Sequence, residues 1–280
     1  MQSIRIGSGV VGLSVLASSV AMAAPVFTDP SEDAIGTLTS NVSAVQMGVA
    51  YDGTNYWVDS GALGGSPNLG KISSGGASLA TYTASGDFRS LTMFNGQLYA
   101  YTASSSSLKP VLADGTLSSS GVITLATPAD HSNLPTSLEK VVFDGTYFIS
   151  RDSSTIQRWT TTGQDAGSVT LSGTLSKDTN GFGYASIAAG NGLWFTYATN
   201  GELSAWDPTT GLRLDTTILN GAGTGPIDPF SLAFANGNIF VSTNASSANS
   251  TYNVYAAPEP AGVALLGLGL LGLRRRRRAV

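Results

Sequence analysis

The chain has 280 residues, 42% hydrophobic and only 11% charged, with 34 Gly, no Cys and a single His, His131. A charged fraction under half the usual ~25% excludes a charged disordered tail protein and a coiled coil. The missing Cys and the lone His exclude thiol catalysis, Fe–S clusters, Cys-type zinc sites, disulfide staples and multi-histidine metal cages. A β-rich domain with a sizeable core remains.

From the N-terminus, Arg5 precedes an apolar stretch over residues 6–20, and Ala21-Met22-Ala23 follows it. Small residues at Ala21 and Ala23 form the pattern a signal peptidase accepts, so residues 1–23 are expected to be a secretory signal cleaved after Ala23. A first core element fits less well, because the segment ends in Ala-Ala-Pro and runs into polar Thr28-Asp29-Pro30-Ser31-Glu32-Asp33.

Residues 24–257 carry a repeated phrase in which apolar alternation, Asp-Gly or Asn-Gly, and aromatic or aliphatic alternation succeed one another. It occurs at Asp52-Gly53, Asn95-Gly96, Asp144-Gly145, Asn191-Gly192 and Asn236-Gly237, with glycines 43, 49, 47 and 45 residues apart. Such dipeptides between alternating runs signal a hairpin, because a type I′ turn needs positive φ at both central residues. In two copies a Trp stands fourteen residues after the glycine, Trp159 and Trp206, and a polar turn ending in Gly163 or Gly211 follows each. These add third strands, and the fourth strands are expected at 79–83, 122–125, 168–171 and 212–219.

Four strands per ~45 residues is the period of a β-propeller blade. The fifth repeat ends after its third strand at 253–256, and Ile35 to Leu38 has the character of the missing fourth, so the expected fold is all-β, five four-stranded blades closed by the two ends of the domain. The competing architecture is an irregular two-sheet sandwich. The Trp and Tyr residues are expected to pack blade on blade. The hairpins resemble those of secreted propellers in general, and Trp206-Asp207-Pro208-Thr-Thr-Gly211 resembles the outer turn of quinoprotein-like or YVTN-type blades. That likeness implies an architecture and no chemistry.

In such a ring the loops entering the innermost strands rim the central channel. They end in a shared Ser-aliphatic phrase at Ser90, Ser137, Ser186 and Ser231. Gln46, Arg89, Glu139, Tyr184 and Asp228 are the polar or aromatic candidates for a ligand rim, a mixed set suited to a sugar or a peptide. Glu139 and Asp228 qualify as a glycosidase pair only if they are adjacent in space. Asp178-Thr-Asn180-Gly181 lacks the acid an EF-type calcium loop needs at its twelfth position, where Ala189 stands, and Gly221-Ala-Gly-Thr-Gly225 is a loop without the Lys of a phosphate cradle. No catalytic residue, metal or cofactor is expected.

At the C-terminus, Pro258-Glu259-Pro260 precedes thirteen residues of Ala, Gly, Val and Leu and then Arg274, Arg275, Arg276, Arg277 and Arg278. A helix over the thirteen would be ~20 Å long, short of the ~30 Å hydrocarbon core, and the arginines would hold its end in the cytoplasm. The expected behaviour is transient membrane association during export. Residues 258–280 resemble the PEP-CTERM sorting domain. That resemblance implies export from a Gram-negative cell, processing by an exosortase-type enzyme near the motif, and association with extracellular polysaccharide and biofilm. Without both ends, residues 25–257 hold 8 Lys and Arg against 17 Asp and Glu, a net charge of −9. Such a surface repels nucleic acid and anionic lipid. Two function classes follow: an exported, non-catalytic surface or matrix protein binding polysaccharide or surface proteins, and a secreted hydrolase or lyase of matrix glycans.

Overall fold

The computed structural model describes residues 25–61, 68–103, 105–129, 139–173, 186–225 and 228–258. The signal, Tyr184, His131, Ser137, Glu259, Pro260 and the arginine run lie outside them.

The chain opens with two short strands, β1 (Ser31–Glu32) and β2 (Gly36–Thr39). Blade I then holds β3 (Gln46–Tyr51), β4 (Asn55–Ser60), β5 (Leu69–Ser73) and β6 (Ser78–Tyr82), and blade II holds β7 (Phe88–Phe94), β8 (Gln97–Thr102), β9 (Ser107–Pro110) and β10 (Ile123–Thr124). Blade III consists of β11 (Val142–Phe143), β12 (Phe148–Asp152), β13 (Thr155–Trp159) and β14 (Asp165–Thr170). Blade IV consists of β15 (Ala188–Gly190), β16 (Leu193–Tyr197), β17 (Glu202–Trp206) and β18 (Arg213–Leu219). Blade V has β19 (Ala233–Ala235), β20 (Asn238–Ser242) and β21 (Thr251–Ala256), and its fourth strand is β2.

The innermost strands close a circle, β3 against β7, β7 against β11, β11 against β15, β15 against β19 and β19 against β3. The protein is a five-bladed β-propeller. The expected closure holds within one residue, since β2 runs antiparallel to β21 with Leu38 opposite Tyr252. One strand is additional: β1 pairs in parallel with β18, making blade IV five-stranded.

The hairpin glycines stand where expected, but the turns are of two kinds. In the Asn-Gly copies both residues have positive φ, as at Asn95 (48°) and Gly96 (75°), which is the type I′ pattern. In the Asp-Gly copies only glycine does, Gly53 at 92° and Gly145 at 100°. There Asp precedes the two-residue loop, its N–H donating to the carbonyl of Asn55 or Tyr147, and glycine is the first residue of the loop. The Asp carboxylate accepts the next two N–H groups, Thr54 and Asn55 at 2.9 and 2.7 Å on Asp52, Thr146 and Tyr147 at 2.9 and 2.7 Å on Asp144. The three Asn residues of the other copies are instead left-handed, Asn95, Asn191 and Asn236 at 48°, 54° and 49°.

The core lies between blades. Each of the five interfaces holds one apolar cluster: Leu38, Val49 and Phe240 between V and I, Trp57 and Phe88 between I and II, Tyr101 and Trp159 between II and III, Ile149 and Trp194 between III and IV, Tyr197 and Ile239 between IV and V. All four Trp are buried in these clusters. The outer turns touch the preceding blade so closely that only glycine fits. A Cβ on Gly163 would fall 2.0 Å from the Thr124 carbonyl oxygen of β10, and one on Gly211 2.3 Å from that of Thr170 on β14. The recurring Trp-turn-Gly phrase is thus a blade-to-blade joint.

Candidate functional site

The five innermost strands enclose a central cavity of about 210 Å³, lined among others by Val49, Leu91, Met93, Phe143, Ala188 and Phe234. Tyr51 and Asn236, in the lining, mark its hairpin end. Toward the opposite, loop end stands Lys140, just before β11.

Lys140 is 2% exposed. Its Nζ donates to three carbonyls of other blades, Met47 at 2.6 Å, Phe230 at 2.8 Å and Leu232 at 2.5 Å. One ammonium on blade III thereby ties blades I and V, with all three N–H groups satisfied. Asp59, at the loop end of β4, is fully buried, and among the described residues neither carboxylate oxygen meets a donor at good geometry. Gly48 lets the two charges gather, since its Cβ would lie 3.2 Å from Asp59 Oδ1 and 3.5 Å from Lys140 Nζ. Burial pushes the Asp59 carboxyl up, opposed by the Lys140 charge, the neighbouring backbone N–H groups and Arg89. Burial pushes the Lys140 ammonium down, opposed by Asp59. Both groups are desolvated, and each charge favours the other, so removing one partner takes the counter-charge from a buried group.

Of the candidate rim residues, Gln46 lies inside the fold. It is buried, donates to the Ser43 and Ser247 carbonyls at 2.9 and 3.0 Å, and accepts from Ser250 Oγ at 2.7 Å, joining blade I to the β20–β21 loop. Asp228 opens a 3-10 turn (Asp228–Ser231) and is 6% exposed. Its oxygens accept the Gly225 and Ala245 N–H groups. The glycines of 221–225 make that possible, because a Cβ on Gly223 would sit 2.4 Å from Asp228 Cγ. Glu139 is 1% exposed and accepts from Ser150 Oγ at 3.1 Å, and with burial its charge pushes the Tyr101 phenol up. Arg89 is ion-paired to Asp87 at 2.6 Å, with both side chains about seven-eighths buried and, among the described residues, Arg89 Nε and Asp87 Oδ1 without partners. Burial pushes the Asp87 carboxyl up against the opposing effect of Arg89.

The shared Ser is also structural. Ser90 Oγ donates to the Val141 carbonyl at 2.7 Å and accepts its N–H at 3.0 Å, joining blades II and III. Ser186 makes the same two bonds with Tyr197 at 2.7 Å each, within blade IV. Lys140 and Asp59 were not singled out from the sequence. Their one signal was a charge at the edge of an apolar run, before it in Lys140-Val141-Val142-Phe143 and after it in Tyr56-Trp57-Val58-Asp59. Among the described residues no three His, Asp or Glu converge into a metal-ligand set.

No family model matches the chain, and no curated protein sequence is similar to it. Among solved structures it is similar to the glutaminyl cyclase of Myxococcus xanthus, at 13% identity and a TM-score of 0.57, over 80% of this chain and 97% of that one. A Bacteroides thetaiotaomicron protein of unknown function aligns at 9% identity and a TM-score of 0.48, over 81% and 75% of the two chains. The first likeness is one of fold alone.

Proposed function

We propose that the protein is exported and serves as a non-catalytic surface or matrix component, its propeller body binding extracellular polysaccharide or another surface protein. In this reading a signal peptidase removes residues 1–23, and an exosortase-type enzyme acts at Pro258-Glu259-Pro260 while residues 261–278 hold the precursor in the inner membrane. The observation that carries the non-catalytic part is the occupation of the two eligible acids: Asp228 caps backbone N–H groups and Glu139 accepts from Ser150. A general acid or base needs a carboxyl presented to substrate, and these two face inward. Glutaminyl cyclase shares the fold at 13% identity, and one fold hosts many unrelated functions.

The test incubates residues 25–257 with the exopolysaccharide of the producing cell and measures retention and chain length. Retention without shortening supports the reading, and shortened polysaccharide replaces it with a hydrolase or lyase. Intact mass spectrometry of the exported protein tests the address. A species outside the cytoplasm still carrying Arg274 to Arg278 would overturn the sorting role of the tail.

A further inference from the structure

The end of the domain is held at one face of the propeller. β21 runs from the loop face to the hairpin face, where Ala256 pairs with Asn238, the residue directly after the Asn236-Gly237 turn. Two residues on, the Pro258 carbonyl accepts a hydrogen bond from Asn191 Nδ2 at 2.8 Å. Asn191 is itself a hairpin-turn residue, of blade IV, held at φ 54°. Ala257 packs on the apolar cluster between blades IV and V, as does Val26 near the other end of the domain. The chain therefore leaves the body from the hairpin face, on the side where Asn236 lines the central cavity, and the exit is fixed by a side chain and a packed residue.

Only Glu259 and Pro260 separate that fixed carbonyl from the apolar run that begins at Ala261. Three residues span at most about 10 Å even when extended, so a bilayer holding the apolar run lies close under the hairpin face. The five hairpin turns of that face consist of Asp, Asn, Gly and Thr without Lys or Arg. The cations of that face stand on the outer strands, Lys71 over Trp57, Arg158 over Tyr147 and Arg213 opposite Trp206, and they add charge attraction to anionic lipid to the tether.

We propose that the hairpin face is the membrane-facing surface of the tethered precursor, and that the loop face, where Arg89, Glu139 and Asp228 lie, is directed away from the bilayer. This rests on the reading of residues 258–280 as a membrane tether. It adds that a partner of the tethered form meets the loop face first, while the hairpin face is shielded from macromolecules until the tail is cut.

The native chain has no Cys, so each introduced thiol is unique. Thr54→Cys places one in an exposed hairpin turn and Ala248→Cys one in the exposed β20–β21 loop. Each full-length variant is labelled with a donor dye and mixed with phosphatidylcholine–phosphatidylglycerol vesicles carrying an acceptor lipid. A six-residue strand separates the faces by about 20 Å, so donor quenching at Thr54 is expected to exceed that at Ala248 by about twofold or more. Equal quenching, or stronger quenching at Ala248, in chains that co-sediment with the vesicles overturns the orientation. Failure of the full-length chain to co-sediment overturns the tether reading itself. In an Asn191→Gly background, which keeps the turn and removes the bond to Pro258, the contrast is expected to shrink with co-sedimentation unchanged. An unchanged contrast would overturn the part given to Asn191.

Discussion

The indole Nε1 of Trp194 on blade IV donates to Asp144 Oδ2 in the hairpin turn of blade III, at 3.0 Å. The other oxygen of the same carboxylate closes its own turn on Thr146 and Tyr147. Asp52 makes the equivalent turn but bonds Trp57 of its own blade at 2.8 Å. Asp144 thus does two jobs, shaping a hairpin and joining two blades. Asp144→Ala is expected to lower stability by about 2 kcal/mol, the loss of hydrogen bonds to partly buried donors. Asp144→Asn keeps one acceptor and should lose less. Urea midpoints of both variants and of Trp194→Phe, combined as a double-mutant cycle, check whether the blade-to-blade bond is coupled to the turn.

Lys140 holds three carbonyls and faces a buried carboxylate. Lys140→Met is expected to cost about 3–5 kcal/mol, because three buried carbonyls lose their donor and Asp59 loses its counter-charge, and Lys140→Met with Asp59→Asn should recover part of that loss. Partial recovery, measured by denaturant unfolding, separates the charge effect from the lost carbonyl bonds, which neither variant restores.

The same pair gives a sign to the pH dependence. Asp59 has a carboxyl raised above its ordinary value of 3.8 by burial, so between that value and neutrality the folded chain holds a proton the unfolded chain has released. Stability contributed by Asp59 is present at low pH and is lost as pH rises toward neutrality. Lys140 is lowered from its ordinary 10.5, so its effect is the reverse and belongs to alkaline pH, stability rising toward 10.5. The stability difference between about pH 5 and pH 7.5 should therefore favour pH 5 more in the native chain than in Asp59→Asn. An identical pH profile for the two proteins would refute the assignment.

Two glycines with the same sign of φ should respond differently to alanine. At Gly145 the new Cβ meets nothing within 4 Å, so Gly145→Ala is expected to cost about 1 kcal/mol, from the left-handed backbone alone. At Gly163 the same φ penalty is joined by a clash with the Thr124 carbonyl oxygen, and the cost should be about 3 kcal/mol. Thermal or urea unfolding ranks them. Gly145→Val should exceed Gly145→Ala, since β-branched residues tolerate positive φ least.

Ring closure depends on a strand that carries Leu38, 3% exposed in the cluster between blades V and I. Leu38→Ala should cost about 3 kcal/mol by cavity formation. Because β2 pairs only with β21, susceptibility to proteolysis near residue 40 is expected to rise with it.

The blade count, the hairpin positions and the closing strand were legible because each is local: an alternation of period two and a turn dipeptide specify which strand pairs with the next, and β2 was found as the fragment missing from the fifth repeat. The turn class was not: all five dipeptides carry one hairpin signal in the sequence, and only the structure separates the Asp copies from the Asn copies. The interior of the site was not legible. Lys140 reaches the Met47 carbonyl across 93 residues of sequence, and no periodicity of either segment reports that distance. Gln46, Glu139 and Asp228 have the composition of rim residues, yet the structure turns all three inward onto backbone groups and hydroxyls. Sequence alternation tells which face of a strand is buried. Whether a polar residue at the strand's end meets solvent or an orphaned amide depends on how the next blade is tilted against it, and only the packed ring decides that.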